Sequence, residues 1–343
     1  MNRKNQIKAV LAAAGVLLFL GIVCFLMQRG EQAWGAEHAG EDTGRELERL
    51  LWQDISLNGK DYRYSRDYET YLLIGTDGSG NEVDDREEYR GNMADFLLLA
   101  IVNRVDKSYA FLQLNRDTMT EITLLNQDGQ GEATADMQLC TAHWYGGTPK
   151  ESCENTRKAV EKLLGGIAVD GYYSINMKDI ATLNHAVGGV TVTIESDFSR
   201  VDASMKKGET VTLSDEQACT FVRGRTGVDD GENTSRMERQ RQYMEAFFEQ
   251  LQKKAGEDSG FVLSLYETLS ETSVTDMSGG LISDLLAAMD GAENGGILTP
   301  EGETRLGAHL GDGILHTEFY LDKNDIVSTI KTLYNIQEKE QTD

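Results

Sequence analysis

The 343 residues carry 57 acidic against 33 basic side chains, a formal net charge of −24. So acidic a chain lacks the broad basic face that a nucleic-acid partner needs. Its 40% apolar content suits one large globular domain or two modest ones, and no internal repeat or low-complexity tract interrupts it.

Arg3, Lys4 and Lys8 precede an uncharged run from Ala9 to Met27, 19 residues long, the length a helix needs to cross the hydrocarbon core. Glu31, Glu37, Glu41 and Asp42 follow it. This asymmetry predicts a cytoplasmic tail over 1–8, a transmembrane signal anchor over 9–27 and everything after it outside the cell. A cleaved signal peptide would have a shorter apolar core ending in small residues, whereas this run ends Cys24-Phe25-Leu26-Met27. Residues 28–67 are polar, with a helical patch around Thr43–Trp52, and read as a juxtamembrane stalk. The folded domain is expected over 68–336.

Tyr71–Ile74 reads as a short buried strand running into the turn Gly75-Thr76-Asp77-Gly78-Ser79-Gly80. Asn92-Met93-Ala94-Asp95 opens a second apolar run, Phe96–Val102, and a third, Tyr109–Leu114, ends in Asn115-Arg116-Asp117-Thr118. Consecutive short strands pair antiparallel. That pairing brings Asp77, Asp95, Arg116 and Asp117 to one edge of a sheet. Each alone has an ordinary role, as turn residue, strand cap or local ion pair; their convergence suggests a site.

Further on come an apolar–aromatic segment, Met137–Gly147, and a helix over Glu154–Leu164. A strand follows at Gly171–Asn176, then a helix over Asp179–Ala186 that stops at Gly188-Gly189. Val190–Ile194 alternates as a strand. Ser214-x-x-Gln217 opens a helix that delivers Arg223 and Arg225. Thr234 or Ser235 is the expected cap of the next helix, where Arg236, Arg239, Gln240 and Tyr243 share one face and Arg241 points about 100° away from Gln240. Five arginines in Val222–Gln242 form either an anion site near a helix N-terminus or a solvated charged helix. Two helices, Gly260–Leu269 and Leu281–Met289, a strand at Thr317–Leu321 and a helix over Lys323–Tyr334 complete the chain. The mixture predicts an α/β fold, a mixed central sheet between helical layers. Cys140 and Cys153 are near enough in sequence to bridge a loop, the alternative being free buried thiols, with Cys219 a buried hydrophobe. The five histidines are scattered and show no zinc spacing.

In order and spacing, LLIGTDGSG, NMADFLLLAIV, LNRDTM, MQLCTAHWYGG, AVGGVTVTIESDF, LSDEQACTFVRGRTG and TSRMERQRQ resemble the LytR–CpsA–Psr family of bacterial cell-wall ligases over about Tyr68–Glu249. The resemblance implies an apolar cleft for a polyprenyl chain and an arginine-rich mouth for its pyrophosphate. It implies a membrane-anchored phosphotransferase that moves a glycopolymer, a teichoic acid or capsular polysaccharide, from an undecaprenyl-pyrophosphate carrier to peptidoglycan with magnesium. By motif match, Asp95, Arg116 and Arg223 are its catalytic candidates. Arg225, Arg236, Arg239 and Gln240 are its pyrophosphate-binding candidates, and Asp77 and Asp95 its metal ligands. Met93 and Gln138 depart from common basic positions and Asn115 from a common proline, which bears on the substrate more than on the fold. The same residues are compatible with a polyprenyl-pyrophosphate hydrolase, or with a non-catalytic lipid-phosphate-binding module of wall assembly.

Overall fold

The computed structural model describes residues 50–77, 92–125 and 131–339. β3 (Tyr68–Thr76), β4 (Ala94–Asn103) and β5 (Ser108–Leu114) pair antiparallel, as expected for consecutive strands. The β4–β5 turn is built by Asn103, whose amide oxygen accepts from the backbone N–H groups of Val105 and Asp106. β8 (Gly171–Asn176) joins β3 in parallel, β11 (Val274–Thr275) borders β8 antiparallel, and β12 (Glu293–Leu298) lies parallel to β5. The mixed six-stranded sheet therefore has the order β11-β8-β3-β4-β5-β12.

Among the described residues seven helices pack with it: α1 (Pro149–Leu163), α2 (Ile180–Val187), α3 (Asp215–Arg223), α4 (Asn233–Glu257), α5 (Phe261–Leu269), α6 (Gly279–Met289) and α7 (Lys323–Tyr334). Their ends follow local chemistry. Thr148 caps α1, with Pro149 at its first position, and Ser214 with Gln217 forms a full capping box on α3. Gly188 ends α2 at φ 87°, where a side chain would be strained.

Alternation along the strands separates two cores. Leu72, Leu97, Leu99, Ile101 and Leu112 pack with Val160 of α1 and with Ile330 and Tyr334 of α7. Each such leucine contributes about 1.5–3 kcal/mol by leaving water. Leu98, Val102 and Phe111 pack toward Phe221 of α3, Tyr243 and Phe247 of α4, and Leu285 and Leu286 of α6.

Several expectations are corrected. Trp52–Ser65, read as the end of a stalk, forms β1 (Trp52–Leu57) and β2 (Lys60–Ser65). Ile55, Leu57, Tyr62 and Tyr64 alternate inward to the first core, and β15 (Gln337–Glu338) pairs with β2. Cys140 and Cys153 do not bridge; both are buried free thiols. The Cys140 sulfur faces Arg116 and the Cys153 sulfur faces His143, so the two are aimed at different partners. The segment from Met137 begins as the end of β7 (Gly131–Gln138), whose hairpin partner β6 (Met119–Leu125) carries weak alternation, and continues as a 3-10 helix, Leu139–Trp144. A second hairpin joins β13 (Gly302–Gly307) to β14 (His316–Leu321). α4 begins at Asn233 with no side-chain cap, and the Ser235 hydroxyl donates back to Asp230. β9 (Thr191–Thr193) and β10 (Thr210–Thr212) form a small separate ribbon. Among the described residues no helix is long and apolar enough to cross a membrane; the run 9–27 lies outside them.

Candidate functional site

The site lies where β3 and β5 end and β4 begins. Gly75 pairs with Phe96 but Thr76 pairs with Ala94, so Asp95 is the extra residue of a β-bulge. A bulge re-aims the side chain it carries. Here it lets Ala94 enter one core and Phe96 pack against the other, while Asp95 turns to the sheet edge. Gly75 is required there, because a Cβ would come 2.9 Å from the Cβ of Phe96.

Arg116, just after β5, forms an ion pair with Asp95. Arg236 of α4 approaches the same carboxylate oxygen at 3.5 Å, so one carboxylate sits between two guanidiniums. The remaining Arg116 arm, Nη2, donates to two sulfurs, Met93 Sδ and Cys140 Sγ, each at 3.1 Å. Sulfur is a weak acceptor, so this arm is available for a better one. Asp117 lies 3.3 Å from Arg116 Nε. Burial pushes its carboxyl above the ordinary range, against the pull of Arg116, Arg236 and Arg225. Arg236 is buried too; burial and the charges of Arg116 and Arg225 bring it down to about 10. It is steadied by Asn233, whose Oδ1 accepts from Arg236 Nη2 at 2.7 Å while its Nδ2 donates to Asn115 Oδ1 at 2.9 Å. Asn115 thus ties the end of β5 to the start of α4.

Arg223 closes α3 and forms an ion pair with Asp77, with about a third of its side chain exposed. Arg225, beyond Gly224, is exposed and donates to the Gly231 carbonyl at 3.3 Å. Arg239 and Gln240 differ. Arg239 Nε donates to the Phe221 carbonyl at 3.0 Å and Nη2 to the Gly224 carbonyl. Its Nη1 reaches Asp229 Oδ2 at 3.3 Å and Ser196 Oγ at 3.5 Å, and the side chain is 4% exposed. Gln240 donates to the Val222 carbonyl at 3.4 Å. Asp95, Arg116, Arg236, Asp77 and Arg223 therefore form one ion-paired mouth with Arg225 on its outside. Arg239 and Gln240 bond the backbone behind it. Arg241 pairs with Glu238 and Glu245 on the surface of α4, away from the mouth. Asp117, Asn115 and Asn233 complete the site; of these, only Asp117 was placed at this edge by strand order.

Two carboxylates at adjoining strand ends are hard oxygen donors of the kind magnesium takes, and both are now held by arginines. Among the described residues no three His, Cys, Asp or Glu side chains cluster as a metal site.

Beside the mouth opens an apolar cleft of about 230 Å³. Its walls come from the second face of the sheet and from α4–α6, including Leu73, Ala100, Tyr243, Phe248, Leu265 and Met289. At one end it is lined by Gly75, Phe96, Val222 and Gln240. Phe96 adjoins Asp95 and Val222 adjoins Arg223 in the chain, so this end of the cleft is built from the neighbours of the charged residues.

The LytR_cpsA_psr family profile matches residues 27–301. A protein named polyisoprenyl-teichoic acid–peptidoglycan teichoic acid transferase TagU, from Halalkalibacterium halodurans, is 28% identical over 249 residues, covering 71% of this chain and 72% of that protein. One of the same name from Enterococcus faecalis is 28% identical over 251 residues, covering 73% of each. A solved Streptococcus agalactiae protein shares the fold with a TM-score of 0.62 at 24% identity, over 80% of this chain and 91% of that one. TagT bound to LI-WTA does so at 0.57 and 22%, over 79% and 90%. With its motifs, mixed sheet and family match in agreement over most of its length, the chain belongs to the LytR–CpsA–Psr family.

Proposed function

We propose that this chain is a phosphotransferase that moves a glycopolymer, of the teichoic acid class handled by its relatives, from a polyprenyl-pyrophosphate carrier to peptidoglycan. The observation that carries this reading is an apolar cleft whose end is lined by Phe96 and Val222, the chain neighbours of the ion-paired Asp95 and Arg223. A polyprenyl pyrophosphate has the same two halves, a hydrocarbon tail and a compact polyanion.

Arg116 Nη2, Arg223 and Arg225 are the donors open to its phosphate oxygens, where charge spreads in the transition state. Each open donor now has a weak or solvent-exposed partner. The attacking hydroxyl oxygen of the acceptor bonds to the phosphorus that bears the glycopolymer. The bond from that phosphorus to the bridging oxygen breaks, and prenyl monophosphate leaves. Asp95, aimed by the bulge, is the carboxylate placed to take the hydroxyl proton. Asp77 and Asp95 would hold magnesium, which when bound supplies further neutralisation of the phosphate oxygens. In this reading the run 9–27 anchors the chain in the membrane from which the carrier's tail enters the cleft, with the catalytic domain outside the cell.

The test is reconstituted transfer with lipid-linked polymer, with and without peptidoglycan. Arg116→Ala and Asp95→Ala are each expected to lower transfer by about 10²–10³-fold, the loss typical of one preorganised charge contact, in protein that circular dichroism shows to be folded at the assay temperature. Full activity in both variants, or free phosphate as the sole product with acceptor present, would refute the transferase reading.

A further inference from the structure

The last turn of any α-helix leaves carbonyl groups without intrahelical partners, and buried ones must be satisfied from elsewhere. α3 ends at Arg223, the first of the arginine pair, with Gly224 as its C-cap. Two consecutive side chains of α4 satisfy that end. Arg239 donates to the carbonyls of Phe221 and Gly224, and Gln240 to that of Val222. Arg239 also brings positive charge to the negative end of the α3 dipole, and its guanidinium lies 5.6 Å from the centre of the Phe198 ring. Asp229 fixes its far side.

The chain between the two arginines leaves no slack. A Cβ on Gly224 would come 2.6 Å from the Thr220 carbonyl oxygen and 3.1 Å from Val228 Cγ2. Arg223 and Arg225 thus flank a residue pressed onto α3 from one side and held by Arg239 from the other.

We propose that Arg239 is a positioning residue: it caps α3 from α4 and so sets where Arg223 and Arg225 stand, without itself touching phosphate. The inference rests on the pyrophosphate reading of the mouth. A guanidinium is needed because two carbonyls and a carboxylate are met in one plane by its fork, which a lysine ammonium cannot reproduce. Arg239→Lys keeps the charge and loses the geometry.

The experiment is calorimetric binding of geranyl pyrophosphate and of geraniol to the full-length protein in detergent, for wild type, Arg239→Lys, Arg225→Ala and the double variant. Geranyl pyrophosphate affinity is expected to fall about tenfold in Arg239→Lys, in the range for one displaced charged hydrogen bond, with geraniol affinity unchanged. The losses in the double variant are expected to be less than additive, because Arg239→Lys already displaces the Arg225 contact that Arg225→Ala removes, while its effect on Arg223 persists. Additive losses would mean that Arg239 touches phosphate directly, and wild-type affinity in Arg239→Lys would mean that the cap is dispensable; either overturns the proposal. Gly224→Ala provides a second route to the same displacement with no change of charge, and unchanged pyrophosphate affinity in it would also count against the proposal. Wild type binding geranyl pyrophosphate no better than geraniol would instead defeat the pyrophosphate reading itself.

Discussion

Leu72 and Leu73 are neighbours in β3 and meet different surroundings. Leu72 is fully buried among Leu99, Leu112 and the side chains of α1 and α7. Leu73 is half-buried and lines the cleft with Phe96, Ala100 and Phe111. One face of the sheet is closed by packing to the density of an ordinary interior, while on the other the helices stand off and leave room. Both leucines obey the same alternation rule, so hydrophobic patterning does not distinguish a filled core from a cleft. The distinction is made by what lies opposite.

The largest expected effect tests that comparison directly. Leu72→Ala should lower stability by about 2–5 kcal/mol, the loss for a buried leucine that leaves a cavity. Leu73→Ala should cost about 1 kcal/mol or less, since its site already borders open volume, while weakening binding of a prenyl chain. Urea unfolding measures the first pair of numbers and geraniol binding the last. Equal stability losses would show that the second face is as tightly filled as the first.

A smaller effect comes from the closed side of the mouth. His143 is buried; burial lowers its pKa to about 4 from an ordinary 6.5, although its Nδ1 lies 2.6 Å from the Asn92 carbonyl oxygen and donates to it. The unfolded chain takes up this proton before the folded one does. Stability is therefore highest above about pH 6.5 and falls as pH drops toward 4, by about 3 kcal/mol in all. His143→Asn keeps an amide donor near the Nδ1 position and has nothing to titrate. The difference in unfolding free energy between variant and wild type should thus change by that amount between pH 7 and pH 4. A constant difference would mean that His143 is already protonated or solvated in the folded protein.

Much of the mouth was legible in the sequence because it depends on strand order. Three apolar runs ending Asp77, opening at Asp95 and ending Arg116 can converge only if the strands run antiparallel, and they do. The bulge at Asp95 was not legible, since Phe96–Val102 is apolar at every position and shows no alternation whose phase a one-residue shift could break. The folding of Trp52–Ser65 was missed for another reason: its inward residues are spaced among charges and its partner, β15, lies at the far end of the chain. Arg239 shows a third limit. Helical spacing correctly placed it on the face shared with Arg236 and Gln240, but spacing cannot say whether that face meets a ligand or the end of another helix. In the structure Arg239 meets the carbonyls at the end of α3.

The smallest expected effect separates the arginines of α4. Arg241 follows Gln240 in sequence but turns away from it, to pair with Glu238 at 3.0 Å and Glu245 at 2.7 Å. These are exposed i,i+3 and i,i+4 pairs, which in water contribute about 0.3–0.5 kcal/mol each, and salt screens them. Arg241→Ala should therefore cost less than about 1 kcal/mol in urea unfolding, and less still at high salt. Its affinity for geranyl pyrophosphate should match wild type within error, whereas Arg223→Ala, with net charge altered by the same unit, should bind more weakly. That contrast separates contact from bulk electrostatics. On a chain of net charge −24, removal of any cation raises the repulsion felt by an anionic ligand, and a purely long-range effect would weaken both variants alike. Matched losses in the two would assign the arginine block a diffuse role. A loss confined to Arg223→Ala assigns the anion to the mouth defined by Asp77, Asp95 and the end of α3.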